Sequence, residues 1–265
     1  MLTSYCLHAR LIFLSASFII TTMIRTIFFF ILFWTTMIIW TPFGFILLVL
    51  DWLCLGVIAR PLISLIVRGW SHMVIWSTGC SVEVIGRENI PKEKKLVFVS
   101  NHEGDMDFVL LLAYVPRTVG FIIKHTALYM PFLNIWIAVL GGVFIHRGNI
   151  RKARASIEKG AAQVKKGKAV CIYPEGTRSR GNFMREFKPG SFKLATMAEA
   201  VIVPVTVNGT WRAWEEHKRI TPCKVSIQFH PPIATAGLDV NEKKELPHRV
   251  ETIIRSGLRD PEEQE

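Results

Sequence analysis

Two short segments hold residue types able to move a proton and bind an anion. The first is Ser100-Asn101-His102-Glu103-Gly104-Asp105-Met106-Asp107, set between the apolar run Leu96–Val99 and a helical pattern opening near Asp107. Residues five apart on one regular helix point about 140° away from each other. His102 and Asp107 can therefore meet only with His102 in the loop and Asp107 in the first helical turn. There the carboxylate also gains from the helix dipole. A carboxylate holding one imidazole nitrogen leaves the other free as a general base. Taken alone, a capping aspartate and a turn histidine account for the segment more simply. A metal reading would use His102, Glu103, Asp105 and Asp107. No HExxH spacing, second clustered histidine or distant matching ligand supports it, so no metal is expected.

The second segment is Tyr173-Pro174-Glu175-Gly176-Thr177-Arg178-Ser179-Arg180-Gly181, which follows the apolar run Ala169–Tyr173. A loop leaving the C-terminal end of a buried strand lies where α/β folds place ligands. Arg178 offers a planar fork suited to phosphate, and Gly176 lets backbone amides come close. The P-loop spacing G-x-x-x-x-G-K-[ST] is absent. Two further runs end in cations, Phe121-Ile122-Ile123-Lys124 and Gly142 through Arg147. Each cation alone reads as a surface charge. Together the four segments describe a concave site for an anionic substrate.

The elements that must position these residues follow from hydrophobic periodicity. Strands are expected at Ser81–Ile85, Leu96–Ser100, Val119–Ile123, Val143–His146, Ala169–Tyr173, Val201–Val207 and Val225–Phe229. Helices are expected at Asp107–Tyr114, Pro131–Leu140, Arg151–Lys166, Ser191–Ala200 and Val240–Gly257. This alternation predicts an α/β fold, a mixed and largely parallel sheet flanked by helices.

Upstream the pattern is different. Leu11–Ile24 and Thr26–Leu50 are uncharged runs separated only by Arg25. As a helix the second run is about 37 Å long, enough for a hydrocarbon core of about 30 Å. Pro42 and Gly44 are positions where it would kink or turn back as a re-entrant hairpin. Tryptophans at 34, 40, 52, 70 and 76 suit a lipid headgroup level. With no A-x-A-like cleavage site after the first run, a retained anchor is expected rather than a signal peptide. The expected organisation is an apolar helical membrane anchor over 1–75, a catalytic domain over 76–259 and an acidic disordered tail over 260–265.

The 265 residues include 32 Lys and Arg against 21 Asp and Glu, a net charge of +11, and half are hydrophobic. That excludes a disordered or coiled-coil protein. It points to an anionic partner: a membrane surface, a nucleic acid or a phosphorylated substrate. Arg147 to Lys193 carries thirteen cations against three glutamates, nearly all of the net charge. Its few aromatics, Tyr173, Phe183, Phe187 and Phe192, argue against a nucleic-acid partner. Five cysteines without CxxC spacing encode neither a disulfide framework nor a zinc site, and fit a reducing cytosolic face.

The segments, taken in order, resemble the glycerolphosphate acyltransferase family, and within it the 1-acylglycerol-3-phosphate acyltransferases. Asn101-His102 through Asp107 matches the family's NHx₄D, Gly142 to Arg147 its G-x-F-I-x-R, Tyr173 to Ser179 its [FY]PEGTRS, and Val203-Pro204-Val205 its V-P-V strand. Phe187 through Ala195 resembles its F-K-x-G-x₄-A and Lys124 through Pro131 its K-x₆-P. The resemblance spans about residues 80 to 210. It implies that His102 takes the proton from the sn-2 hydroxyl of lysophosphatidic acid while Asp107 orients the imidazole. The hydroxyl then attacks the thioester of acyl-CoA or acyl-carrier protein, with no cofactor, metal or covalent acyl-enzyme. Glu175, Gly176, Thr177 and Arg178 would hold the acceptor's glycerol-phosphate end, with Lys124 and Arg147 as further phosphate contacts. It also implies a lipid bilayer as partner. One departure is Glu103-Gly104 where the family often has Gln-Ser, which sets an extra acid beside the base. Alternative readings are the same chemistry on another lysophospholipid or a lyso-aminolipid, a metal-dependent phosphatase, and a non-catalytic basic protein binding a membrane surface or nucleic acid. These residues do not set an oligomeric state.

Overall fold

Each expected strand forms, and parallel pairing dominates the sheet that they build. The computed structural model describes residues 2–53, 55–146 and 148–259, and for residues 2–17 and Val57 the backbone alone. Arg147 and the acidic tail lie outside the described residues. Two helices open the chain, α1 (Leu2–Trp52) and α2 (Gly56–Thr78). Then follow β1 (Ser81–Ile85), β2 (Leu96–Ser100), α3 (Asp107–Tyr114), β3 (Val119–Lys124), α4 (Leu133–Val139) and β4 (Val143–Ile145). The remainder is α5 (Ile150–Lys165), β5 (Ala169–Ile172), α6 (Lys193–Ala198), β6 (Val201–Asn208), β7 (Lys224–Phe229), β8 (Ile233–Ala234) and α7 (Val240–Ser256). The strand order is β1-β7-β6-β2-β5-β3-β4, with β8 on β6. Only β6 with β7 and β6 with β8 pair antiparallel.

Both faces of the sheet are covered, which is why its strands read as unbroken apolar runs. In β2 all five residues are buried. Its period of two sends Leu96 and Phe98 into one core and Val97 and Val99 into the other. The first core is closed by α1 to α4, the second by α5, α6 and α7. The parallel strands β2, β5, β3 and β4 all point their C-terminal ends the same way, so the loops that follow them gather at one edge.

Several boundaries differ from expectation for local reasons. Two-residue β8 follows Pro231-Pro232 and is too short to show alternation. The helix expected from Pro131 begins at Leu133, because Phe132 takes a positive φ of 64°. Residues Pro189–Phe192 form a 3-10 turn, leaving α6 six residues long and ended by Glu199 in the left-handed region.

The largest difference concerns Pro42 and Gly44, where the chain does not turn back. α1 continues through Pro42 to Trp52, and α2 begins at Gly56. Gly44 instead lets the Trp136 ring of α4 come close, since a Cβ there would sit 3.2 Å from it. Thr22, Thr26, Thr36 and Thr41 each return their hydroxyl to the carbonyl four residues back. No polar side-chain group of these four is therefore left bare on an apolar helix.

One helix among the described residues, Phe18–Trp52, is long and apolar enough to cross a membrane, with a hydropathy of 1.9. Its outer face leaves Phe18, Met23, Ile27, Phe28, Ile31 and Ile39 exposed, and large apolar residues grouped on a surface mark a membrane or partner contact. The inner face is not free. Phe29, Met37 and Leu47 of α1 share the first core with Ala59, Ile63, Val67 and Val74 of α2 and with the sheet. Asp51 binds Arg60 at 3.2 Å and Lys168, at the foot of β5, at 2.9 Å. The apolar hairpin is thus built into the α/β unit as one of its layers.

Candidate active site

His102 leaves the end of β2, Asp107 opens α3, and the two side chains meet. His102 Nδ1 lies 2.6 Å from Asp107 Oδ2, so Nε2 is the ring nitrogen that Asp107 does not hold. Asp107 is fully buried and takes further donors from the Gly104 N–H at 3.1 Å and the Thr210 hydroxyl. Behind the imidazole the Tyr173 ring stacks at 4.1 Å and 18°. The histidine is thus fixed on one edge by a carboxylate and on one face by an aromatic plate. This is the geometry of a general base that must not turn.

The [FY]PEGTRS loop is zipped to the NHx₄D loop. Glu175 Oε1 accepts the His102 N–H at 2.7 Å and Oε2 the Arg185 N–H at 2.9 Å. Ser179 N–H donates to the His102 carbonyl at 2.8 Å and Arg180 N–H to the Glu103 carbonyl at 3.0 Å. Glu175 is therefore a buried clamp between the loops, its two oxygens both taken by backbone amides. Burial pushes its carboxyl up to about 7. Gly176 has φ +74°, and a Cβ there would meet the Lys188 ammonium.

Beside the dyad opens a cavity of about 400 Å³. Its depth is walled by Met37 and Trp40 of α1, Ile66 and Trp70 of α2, and Leu133 and Trp136 of α4. At its polar end are His102, Asp105, Lys124, Thr177 and Arg178. So the structure brings Lys124, Thr177 and Arg178 to the cavity with His102, while Glu175 and Gly176 shape the loop behind them. Arg178 is held by Asp105 and, at 3.0 Å, by Glu215 Oε1. The four donors of the metal reading do not gather about one point: His102 and Asp107 hold each other, Asp105 faces Arg178, and Glu103 faces Thr210. Among the described residues no group of three or more His, Cys, Asp or Glu is gathered for a metal.

A family model described as acyltransferase matches residues 81–208. The chain is 32% identical over 183 residues to the 1-acyl-sn-glycerol-3-phosphate acyltransferase of Borreliella burgdorferi, covering 69% of this chain and 73% of that one. The chain belongs to the glycerolphosphate acyltransferase family. Identity to the Saccharomyces cerevisiae 1-acyl-sn-glycerol-3-phosphate acyltransferase is 35%, over 58% of this acyltransferase and 55% of the yeast protein. The crystal structure of the 1-acyl-sn-glycerophosphate (LPA) acyltransferase PlsC of Thermotoga maritima superposes with a TM-score of 0.75 at 27% identity. That match covers 89% of this chain and 96% of the other, so it includes much of the apolar hairpin.

Three further residues shape this acyltransferase's site, Thr210 and Glu215 outside the motifs and Glu103 within NHx₄D. Thr210 follows Gly209, whose φ of +80° turns the chain after β6 and aims the hydroxyl at Asp107. Glu215, buried a few residues on, accepts the Asp105 N–H at 2.8 Å and steadies Arg178. Glu103 turns away from the cavity, and its Oε2 accepts the Thr210 N–H at 3.1 Å. Burial, with Asp107 beside it, holds the Glu103 carboxyl well above the usual carboxylate range.

Replacing Thr210 by Val removes one donor to Asp107 and keeps the shape. A drop of about tenfold in kcat, worth about 1.4 kcal/mol, is expected with the acceptor KM unchanged. Thr210→Ser should keep the rate; equal rates in both variants would remove the hydroxyl from the dyad's support.

Proposed function

We propose that the chain transfers a fatty acyl group from a thioester to the sn-2 hydroxyl of lysophosphatidic acid, giving phosphatidic acid. The observation that carries this reading is a His–Asp dyad at the mouth of an apolar cavity rimmed by Lys124 and Arg178. His102 Nε2 takes the hydroxyl proton as the oxygen attacks the thioester carbonyl. The tetrahedral intermediate collapses, the C–S bond breaks, and the imidazolium returns the proton to the leaving thiolate. Asp107 stabilises the imidazolium in between. The cavity takes an acyl chain, and Lys124, Thr177 and Arg178 meet the acceptor's phosphate. The names borne by relatives in Borreliella burgdorferi and Saccharomyces cerevisiae support the same acceptor. The donor is acyl-CoA or acyl-carrier protein, and no cofactor enters the scheme.

The exposed face of α1 and α2 embeds in the bilayer and holds the cavity at the level of its lipid substrates. The catalytic face then lies on the cytoplasmic side, where the thioester donors are made. A second reading is favoured by Asp105, an exposed carboxylate already resting on Arg178: an acceptor with an amine in its headgroup would pair with it. Kinetics of Lys124→Ala and Arg178→Ala separate the two. For a phosphate monoester acceptor both should raise the acceptor KM about tenfold or more, with a smaller effect on kcat. An unchanged KM for lysophosphatidic acid would remove both residues from the phosphate site.

A further inference from the structure

Away from the dyad, two cysteines stand side by side at the entrance to the β1–β7 pair. The strands run parallel in register from Ser81 and Lys224, and the Ser81 N–H donates to the Cys223 carbonyl at 3.1 Å. The residues just before them, Cys80 and Cys223, are thereby brought together with Sγ atoms 3.3 Å apart, both reduced and partly exposed. A disulfide needs about 2.05 Å, so closure asks a little over 1 Å of side-chain rotation. A backbone carbonyl lies beside each sulfur: the Cys80 thiol rests 3.8 Å from the Thr221 carbonyl and the Cys223 thiol 3.8 Å from the Gly209 carbonyl. On the other side of Cys80 lies Arg25 of α1, whose guanidinium covers Gly79.

We propose that Cys80 and Cys223 form a redox-active dithiol, a modification site that small organic disulfides oxidise to an internal disulfide. Cys80 is the attacking sulfur. The Cys223 thiol hydrogen-bonds to it and the Arg25 charge lies close, and together they bring its pKa down to about 7. The same contact pushes Cys223 up. Cys171, buried in β5, is pushed up by burial and has no such neighbour. Access selects the pair over buried Cys171, and thiolate character selects Cys80 within the pair. In the first step the Cys80 thiolate attacks one sulfur of the external disulfide, whose S–S bond breaks and releases one thiolate. The Cys223 sulfur then attacks Cys80 in the mixed disulfide, its proton passes to solvent or to the departing thiolate, and the second small thiolate leaves. Two protein thiols are oxidised and one external disulfide is reduced to two thiols. The new bond joins residues 143 apart in sequence. It fastens the end of the apolar hairpin to the strand that abuts Gly209, next to the Thr210 turn that supports Asp107.

The test uses the full chain with Cys6 and Cys54 replaced by Ser, in detergent at pH 7, treated with oxidised glutathione and quenched by alkylation. Peptide mapping should show a Cys80–Cys223 link that dithiothreitol reverses, with Cys171 still alkylated. Adding Cys223→Ser should trap glutathione on Cys80, and adding Cys80→Ser should leave Cys223 at least tenfold less reactive. Acyl transfer activity before oxidation reports that each variant is folded. An unlinked pair in the active protein, or glutathione on Cys223 at the wild-type rate without Cys80, would overturn the assignment.

Discussion

His102→Ala should lower kcat by about three to four orders of magnitude while the acceptor KM stays within a few-fold. General-base transfer accounts for about 10²–10⁴ of rate where one group does the work. Among the described residues lining the cavity, the one carboxylate, Asp105, is paired with Arg178, and Asp107 is fully buried at the ring's other edge. Lys124, Thr177, Arg178 and the apolar cavity are untouched by the change, which is why binding should persist. Truncation also removes the ring that stacks on Tyr173 at 4.1 Å. His102→Gln, which refills part of that space without a base, should therefore be equally inactive with stability closer to the wild type. Either variant turning over at more than a tenth of the wild-type rate would assign the proton to another group.

The second large effect is expected at Glu175, which touches the base only through its backbone. Both oxygens accept N–H groups, at 2.7 Å from His102 and 2.9 Å from Arg185. Glu175→Gln forces an NH₂ against one of them, leaving buried donors opposed at about 1–3 kcal/mol. A loop displaced by about 1 Å costs about 100-fold in rate, so kcat should fall by about that factor.

The same residue predicts a pH signature. Burial raises its carboxyl from the ordinary 4.5 to about 7. The folded chain therefore holds this proton more tightly than the unfolded one. The group's contribution to stability is complete below about 4.5 and is lost as pH rises through about 7, a change on the order of 3 kcal/mol. Glutamine has no such slope, so the stability gap between wild type and Glu175→Gln should narrow from pH 5 to pH 8. Urea midpoints across that range measure it, and a gap of constant size would contradict the burial argument. Glu103 and Glu215 are raised in the same way, but they are common to both proteins and cancel.

What was legible beforehand follows from what periodicity and spacing report. Strands buried on both faces show themselves as short β-branched runs, and the loops after them carried the chemistry because parallel strands aim their ends at one edge. Spacing alone required His102 in a loop and Asp107 in a helix, and the structure has them so. Contacts made by tertiary folding alone left no such trace. Thr210 reaches Asp107 across 103 residues and Glu215 reaches Asp105 across 110. The resemblance set Glu175 at the acceptor, whereas its two carboxylate oxygens accept backbone amides. α1 was opaque for another reason. Its exposed and core-facing sides are both apolar, so its pattern does not reveal the stripe Phe29, Met37 and Leu47 that packs on the sheet. Neither could it reveal that Met37 and Trp40 wall the cavity beside the dyad.

The most direct measurement is product analysis after the full-length protein in phospholipid vesicles is offered labelled acyl-CoA and acyl-carrier protein. Lysophosphatidic acid should be presented beside lysophospholipids and lyso-aminolipids with amine headgroups, with His102→Ala run in parallel. Labelled phosphatidic acid that forms from at least one donor and disappears in the variant is the expected result. Transfer confined to amine-bearing acceptors, or phosphatidic acid formed equally well without the histidine, would contradict it.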